Sequence, residues 1–309
     1  MIEVQDLRKQ YGDLVAVDGV SFTAAPGCIF GLLGPNGAGK STIINCLSGL
    51  LPPTSGRVRV LGHDVVAQPM EARRELGVVP QELALYEDLS ARDHLAYRGA
   101  AYGMSGSDLK TRVDEVLGII GLQDRAREPV KRFSGGMKRR LNFGCGIVHR
   151  PKALLLDEPT VGVDPQSRVR LLDLVREQVA GGTCVLYTTH YMEEAQELCD
   201  RIAIMDHGKV LAIGTLNELR AMLEEHDLVR VRGRFDPTRV RQALASLDRI
   251  DVVSAEPDLV VVAAQEASRK VSAILAALTQ SGGEIQETSL SQPSLESLFI
   301  KLTGRQLRE

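Results

Sequence analysis

A chain of 309 residues, 44% hydrophobic and 25% charged, has the apolar mass for two packed cores, which excludes a disordered or fibrous protein. Its formal net charge is -3 and its pI about 6.1, so no electrostatic pull marks nucleic acid as the main partner and none is expected. The longest apolar runs, such as residues 259–264, fall far short of the ~20 residues that cross a bilayer. Work at a membrane would need something else to hold the chain there.

The first residues carry acid and enter a strand pattern at once, which reads as a fold start rather than a secretory signal. Residues 2–5, 20–23 and 57–61 read as half-buried strands of an antiparallel element. Residues 28–33 are a buried strand leading into a Gly-rich turn, and residues 41–50 a helix. Residues 76–80, 153–157, 183–189 and 201–206 are further apolar strands, with amphipathic helices at 107–120 and 165–180. Apolar strands alternating with helices predict a parallel sheet covered on both faces. After Gly214 the pattern changes. Strands at 227–234, 250–254, 259–264 and 284–290 alternate with helices at 237–247, 266–279 and 293–302, the order βαββαβ of a ferredoxin-like domain followed by a last helix. The expected organisation is a domain over 1–214, a linker over 215–226 and a second domain over 227–309. The five cysteines, Cys28, Cys46, Cys145, Cys184 and Cys199, lack metal-site spacing and read as buried reduced thiols.

Gly34-Pro-Asn-Gly-Ala-Gly-Lys-Ser41 satisfies the phosphate-loop pattern between a strand and a helix. Glycines let backbone N–H groups curl around phosphate oxygens, and the helix from Gly39 points its positive end at them. Lys40 supplies a charge for the β and γ phosphates, and Ser41 a hydroxyl for Mg²⁺. Strand 153–157 ends in Asp157 and Glu158, the first placed to hold Mg²⁺ and the second to polarise an attacking water. His190 ends strand 183–189, emerges at the same sheet edge, and could bridge a γ-phosphate and Glu158. The other histidines, His63, His94, His149, His207 and His226, carry the default reading of surface or core. Gln81 ends another strand, within reach of Mg²⁺ or the lytic water. Ser134, Gly135 and Gly136 open a second helix and form a second anion cradle. That cradle either grips the same nucleotide or serves one held by another copy.

These pieces, in this order, resemble the nucleotide-binding domain of ABC transporters over about residues 1–214. The resemblance implies that Tyr11 stacks on adenine and that residues 34–42, with Asn36, Gly37, Ala38, Gly39 and Thr42, form the Walker A loop. It makes Gln81 the Q-loop glutamine, Ser134-Gly135-Gly136 the signature, and Asp157 and Glu158 the Walker B acid and catalytic carboxylate. Asp164 becomes the D-loop aspartate and His190 the switch histidine. It implies ATP and Mg²⁺ as ligands, a fold with a parallel-sheet core, an antiparallel β subdomain and a helical signature subdomain, and a head-to-tail pair with a second copy or homologue whose signature completes each site.

The signature departs from the family's Leu-Ser-Gly-Gly-Gln at Phe133 and Met137, and methionine lacks the glutamine's hydrogen-bonding groups. Ser134-Gly-Gly-Met-Lys-Arg-Arg-Leu141, Pro159-Thr-Val-Gly-Val-Asp-Pro165 and the tail Leu295-Glu-Ser-Leu-Phe-Ile-Lys-Leu-Thr-Gly304 resemble ATPase subunits of ABC-2-type exporters of drugs, lipids or polysaccharides. Such a subunit sits at the cytoplasmic face of the inner membrane through separate permease subunits, with segment 82–95 as the contact. The second domain would support the dimer or regulate it. The alternatives are a soluble ABC-type ATPase acting on nucleic acid or the ribosome, or an importer subunit. No coiled-coil insertion and only one cassette are present.

Overall fold

The computed structural model describes residues 1–222, 227–245, 247, 250–264, 267–291 and 294–303. His226 and the end of the expected linker, the helix starts at Glu266 and Pro293, and the tail's Gly304 lie outside the described residues. Two compact units are present, Met1–Leu216 and a second from Asn217.

In the first unit, six strands stand in the order Lys209–Gly214, Arg201–Asp206, Ile29–Leu33, Cys184–Thr189, Ala153–Asp157 and Leu76–Val79. The last five run parallel, and Lys209–Gly214 is an antiparallel edge. Every residue of Ile29–Leu33, Ala153–Asp157 and Cys184–Thr189 is buried, as a sheet covered on both faces requires. Successive side chains point to opposite faces and so feed two cores. Phe30, Leu32, Leu155 and Leu186 pack with helix Lys40–Leu47 and the antiparallel sheet. Leu154, Leu156, Val185 and Tyr187 pack with the helical subdomain.

The antiparallel sheet has the order Leu14–Ala24, Ile2–Tyr11, Ser55–Val60, His63–Asp64. The helical subdomain contains Ala91–Ala101, Gly106–Ile119 and Gly135–Ile147. Ser90 and Asp93 close a capping box at the first of these helices.

Register aligns the functional strand ends. Leu33 pairs with Thr189 and Asp157 with Thr188, so Gly34, Glu158 and His190 leave one edge of the sheet. Helix Lys40–Leu47 is shorter than the sequence pattern, because Gly49 at φ 70 turns the chain out. Cys46, Cys145 and Cys184 are buried, but Cys28 and Cys199 sit at element ends and are part-exposed; all five are free thiols.

In the second unit, the strand order is Ile250–Ala255, Leu259–Ala264, Asp227–Arg234, Glu284–Ser291, every neighbouring pair antiparallel. Val229, Val231, Val260 and Val262 form a core with Val240 and Leu244 of helix Pro237–Leu244 and with Ile274 and Leu278 of helix Ala267–Gln280. This is the split βαβ arrangement of a ferredoxin-like domain. Helix Leu295–Thr303 follows, and helix Leu216–Ala221 occupies part of the stretch expected as linker.

Candidate nucleotide site

Lys40 opens helix Lys40–Leu47 immediately after the phosphate loop. Gly39 adopts φ 99, and a Cβ there would stand 2.5 Å from the Ala16 carbonyl oxygen, so both conformation and close approach demand glycine. No side chain caps this helix, which leaves its first N–H groups available to an anion. The Lys40 side chain is almost wholly buried. Its Nζ donates to the carbonyls of Gly34 at 2.7 Å and Pro35 at 3.1 Å, and pairs with Glu158 Oε1 at 3.0 Å.

Glu158 is 4% exposed and held in the left-handed region at φ 43, a strain of about 1–3 kcal/mol for a residue with a Cβ. Its backbone N–H donates to Thr188 Oγ1 at 2.9 Å, and that hydroxyl donates to Asp157 Oδ1 at 2.7 Å. Glu158 Oε2 lies 2.9 Å from His190 Nδ1. One carboxylate thus joins the loop lysine to the histidine on the next strand. Burial pushes the Asp157 carboxyl up from its ordinary value, while hydrogen bonds from Thr188 and Ser41 pull it back.

A cavity of about 630 Å³ gathers Tyr11, Asn36, Gly37, Ala38, Gly39, Lys40, Ser41, Thr42, Gln81 and Glu158. Asp157 and His190 join them through the bonds just described. Ser134, Gly135, Gly136 and Asp164 do not line this cavity. They gather elsewhere. Ser134 caps helix Gly135–Ile147 by accepting from Met137 N at 3.3 Å, and Asp164 caps helix Pro165–Ala180 by accepting from Ser167 N at 2.9 Å. A Cβ on Gly136 would strike Ser167 Oγ, so the two helix starts touch. Met137 packs, part-buried, against the helical-subdomain core.

Several participants carried no motif in the sequence. Arg139 donates to the carbonyl of Gln81 and, at 2.9 Å, to that of Val161, tying the signature helix to the Q-loop and the approach to Asp164. Asn142 donates to the Pro80 carbonyl at 3.2 Å. His207 and Gly208 line the cavity, and Gly208 N donates to the Ala38 carbonyl at 3.2 Å. The only signal for them was the turn composition of Asp206-His-Gly208 after a buried strand.

Known proteins share this chain's sequence and fold. The ABC transporter family matches residues 17–161, and the C-terminal domain of DrrA1-3-like ATP-binding proteins matches residues 214–303. The chain is 41% identical to the linearmycin resistance ATP-binding protein of Bacillus subtilis, with all of both chains covered. It is 38% identical to a daunorubicin resistance ATP-binding protein of Streptomyces coeruleorubidus, over 98% of this chain and 96% of that one. A Nod factor export ATP-binding protein of Sinorhizobium fredii is 36% identical over 100% of this chain and 87% of its own. Among solved structures, an ATP-binding subunit of an ABC transporter superposes with a TM-score of 0.67 at 33% identity, over 72% of this chain and 93% of that one. A dimeric post-hydrolysis cassette bound to ADP and Pi gives 0.64 at 25% identity, over 70% and 99%. The chain belongs to the ATP-binding ATPase subunits of the ABC transporter family, in the branch that contains the drug-resistance and Nod factor export proteins.

Proposed function

We propose that two cassettes, each residues 1–214, close head to tail on two ATP molecules, and that closure drives export through separate membrane-spanning subunits. The observation that carries this reading is the bonded chain Lys40, Glu158, His190 at the mouth of the phosphate loop. In it Lys40 and the loop N–H groups bind the phosphates, Glu158 orients and polarises the attacking water, and His190 holds Glu158 and the γ-phosphate. Tyr11, 42% exposed at the cavity rim, offers a ring face for adenine. Ser134, Gly135 and Gly136 of the opposing copy supply the donors that the first cavity does not gather, and Asp164 sits at the same contact.

The donor set fits Mg²⁺. The Asp157 carboxylate and the Ser41 hydroxyl are hard oxygen donors, with Ser41 and the Gln81 amide on the same cavity, and they are few enough that phosphate oxygens would complete the shell. When bound, the ion would neutralise charge on the β and γ phosphates.

Among the described residues no helix is long and apolar enough to cross a membrane. Leu83, Tyr86 and Leu89, exposed in the segment after Gln81, suit a contact with permease subunits at the cytoplasmic face of the inner membrane. The cargo class follows the relatives' names: a drug, as for the linearmycin and daunorubicin resistance proteins, or a molecule like a Nod factor. The second unit, from Asn217, is an accessory domain that supports or regulates the pair.

Glu158→Gln tests the reading. ATP affinity should stay within about twofold, turnover should fall about a hundredfold or more, and ATP should convert the protein to a dimer by light scattering. Hydrolysis at the wild-type rate would refute the assignment of Glu158.

A further inference from the structure

Glu194 is a charged side chain with no solvent exposure, and nothing in the phosphate chemistry uses it. It lies in the short helix Met192–Leu198, just past His190. Its Oε2 accepts from the Tyr187 hydroxyl at 2.8 Å and from Thr189 Oγ1 at 2.9 Å. Both donors belong to the strand that ends at the histidine. Burial, and next the Glu194 charge itself, push the Tyr187 phenol well above its ordinary range, so it remains a donor.

The other oxygen, Oε1, stands 2.8 Å from Arg168 Nε, as an ion pair without the alignment of a hydrogen bond. Arg168 lies in the first turn of the helix that Asp164 caps, and its N–H donates to the Asp164 carbonyl at 2.9 Å. The same guanidinium carbon sits 5.1 Å from the centre of the Tyr191 ring. That ring in turn lies 4.2 Å from the His190 ring. Thr189 Oγ1, besides donating to Glu194, accepts from the Tyr191 N–H at 2.9 Å and so fixes the chain on either side of His190.

A fully buried carboxylate is costly unless it is paired and hydrogen-bonded, and here its three partners all face the histidine's strand end or the D-loop helix. We propose that Glu194 and Arg168 are positioning residues for hydrolysis, a buried pair that fixes residues 189–191 so that His190 meets Glu158, and that ties this histidine to the Asp164 helix of its own chain. Neither residue touches nucleotide. A shift of the Asp164 helix, such as contact with a second copy would produce, moves Arg168 and with it the support under Thr189 and Tyr191. The second subunit's approach is thereby transmitted to the catalytic histidine through side chains of a single chain. The inference rests on the proposed role of Glu158 and His190.

The test uses the full chain. Arg168→Met, Glu194→Gln and the double variant are compared for kcat at saturating Mg-ATP, ATP affinity by titration with a fluorescent analogue, and thermal midpoint. Each single change should lower kcat about tenfold to a hundredfold, as a misplaced catalytic group does, with affinity within about twofold. The double variant should be no slower than the slower single variant, because both act through one link. A merely structural contact would instead lower midpoint, binding and turnover together. Should Glu194→Gln fail to fold, Arg168→Met decides: it leaves the buried Glu194 without its cation and so lowers the midpoint, but kcat and ATP affinity read below that midpoint, where the variant is folded, still separate a positioning role from a structural one. The proposal is overturned if a folded Arg168→Met keeps kcat within twofold of wild type, if affinity falls in step with kcat, or if the two effects multiply. Glu158→Gln is run alongside. If it turns over ATP normally, the underlying reading fails and takes this inference with it; if it is dead while Arg168→Met is normal, only the positioning pair is wrong.

Discussion

Lys40 and Glu158 are almost wholly buried and bonded to each other, to two loop carbonyls and to His190. Ser134 and Gly135, by contrast, face solvent, and a Cβ on Gly135 would meet nothing within 4 Å. The chain thus builds one half of its anion chemistry as an internally cross-linked site and the other as an open set of N–H donors. The first half is pre-organised in a single chain. The second has the form of a surface offered to something else, and a head-to-tail pair is the arrangement that uses both.

The largest expected effect breaks the closed half. Lys40→Met should abolish turnover and, by leaving Glu158 buried without its cation, destabilise the protein by about 3–5 kcal/mol. Adding Glu158→Gln should recover most of that stability and none of the activity. Chemical denaturation of the two variants measures the difference, and a stable single variant would mean the pair is not a buried one in solution.

Gly135→Glu sharpens the contrast from the open side. The position has room, and a carboxylate in the first turn of a helix favours folding, so stability should be unchanged. The same charge repels phosphate, and turnover should fall about a hundredfold, the scale of losing an anion-stabilising contact. Mixing this variant with Lys40→Met should restore activity, because one composite site then has an intact loop from one chain and an intact signature from the other. Absence of rescue under conditions that mix subunits would argue for a signature that acts within its own chain.

Gly136→Ala touches the seam between signature and D-loop helices. Its Cβ would collide with Ser167, at a cost of about 1–3 kcal/mol as in other overpacked sites. The thermal midpoint should fall while ATP affinity at the separate cavity holds.

The placement of the closed half at one sheet edge was legible in the sequence, for a physical reason. A phosphate loop, an acid pair at a strand end and a histidine at the next strand end are local signals, and parallel register carries them to one edge without further information. The apolar runs of the central strands and the βαββαβ order after Gly214 were legible because burial on two faces and on one face leave different periodicities. Arg139, Glu194 and Arg168 were not legible. A long polar side chain has no pattern of its own, and its partners, such as the carbonyls of Gln81 and Val161, are far away in sequence. A short helix escaped as well: Met192–Leu198 spans barely two turns, too few to show a helical period.

The smallest predicted effect concerns the far end of the signature helix. His149 follows helix Gly135–Ile147, its ring stacked on Tyr102 at 3.6 Å between centroids and its Nε2 3.1 Å from the Leu76 carbonyl oxygen. Burial lowers its pKa from 6.5 to about 4 in the folded chain. The unfolded chain therefore binds a proton at His149 at a pH where the folded chain does not. This contribution to stability is complete above pH 6.5 and is lost progressively as pH falls toward 4. Because the residue is only part-buried, the loss should be about 1–2 kcal/mol rather than the full linkage value. His149→Phe keeps the stack on Tyr102 and removes the titration, so its denaturation midpoint should fall less than that of wild type between pH 6.5 and 4.5. Parallel curves for the two proteins across that window would show that the ring already titrates normally when folded. The signature helix would then end in solvent rather than in a packed core, and the open half of the molecule would be looser than its buried residues imply.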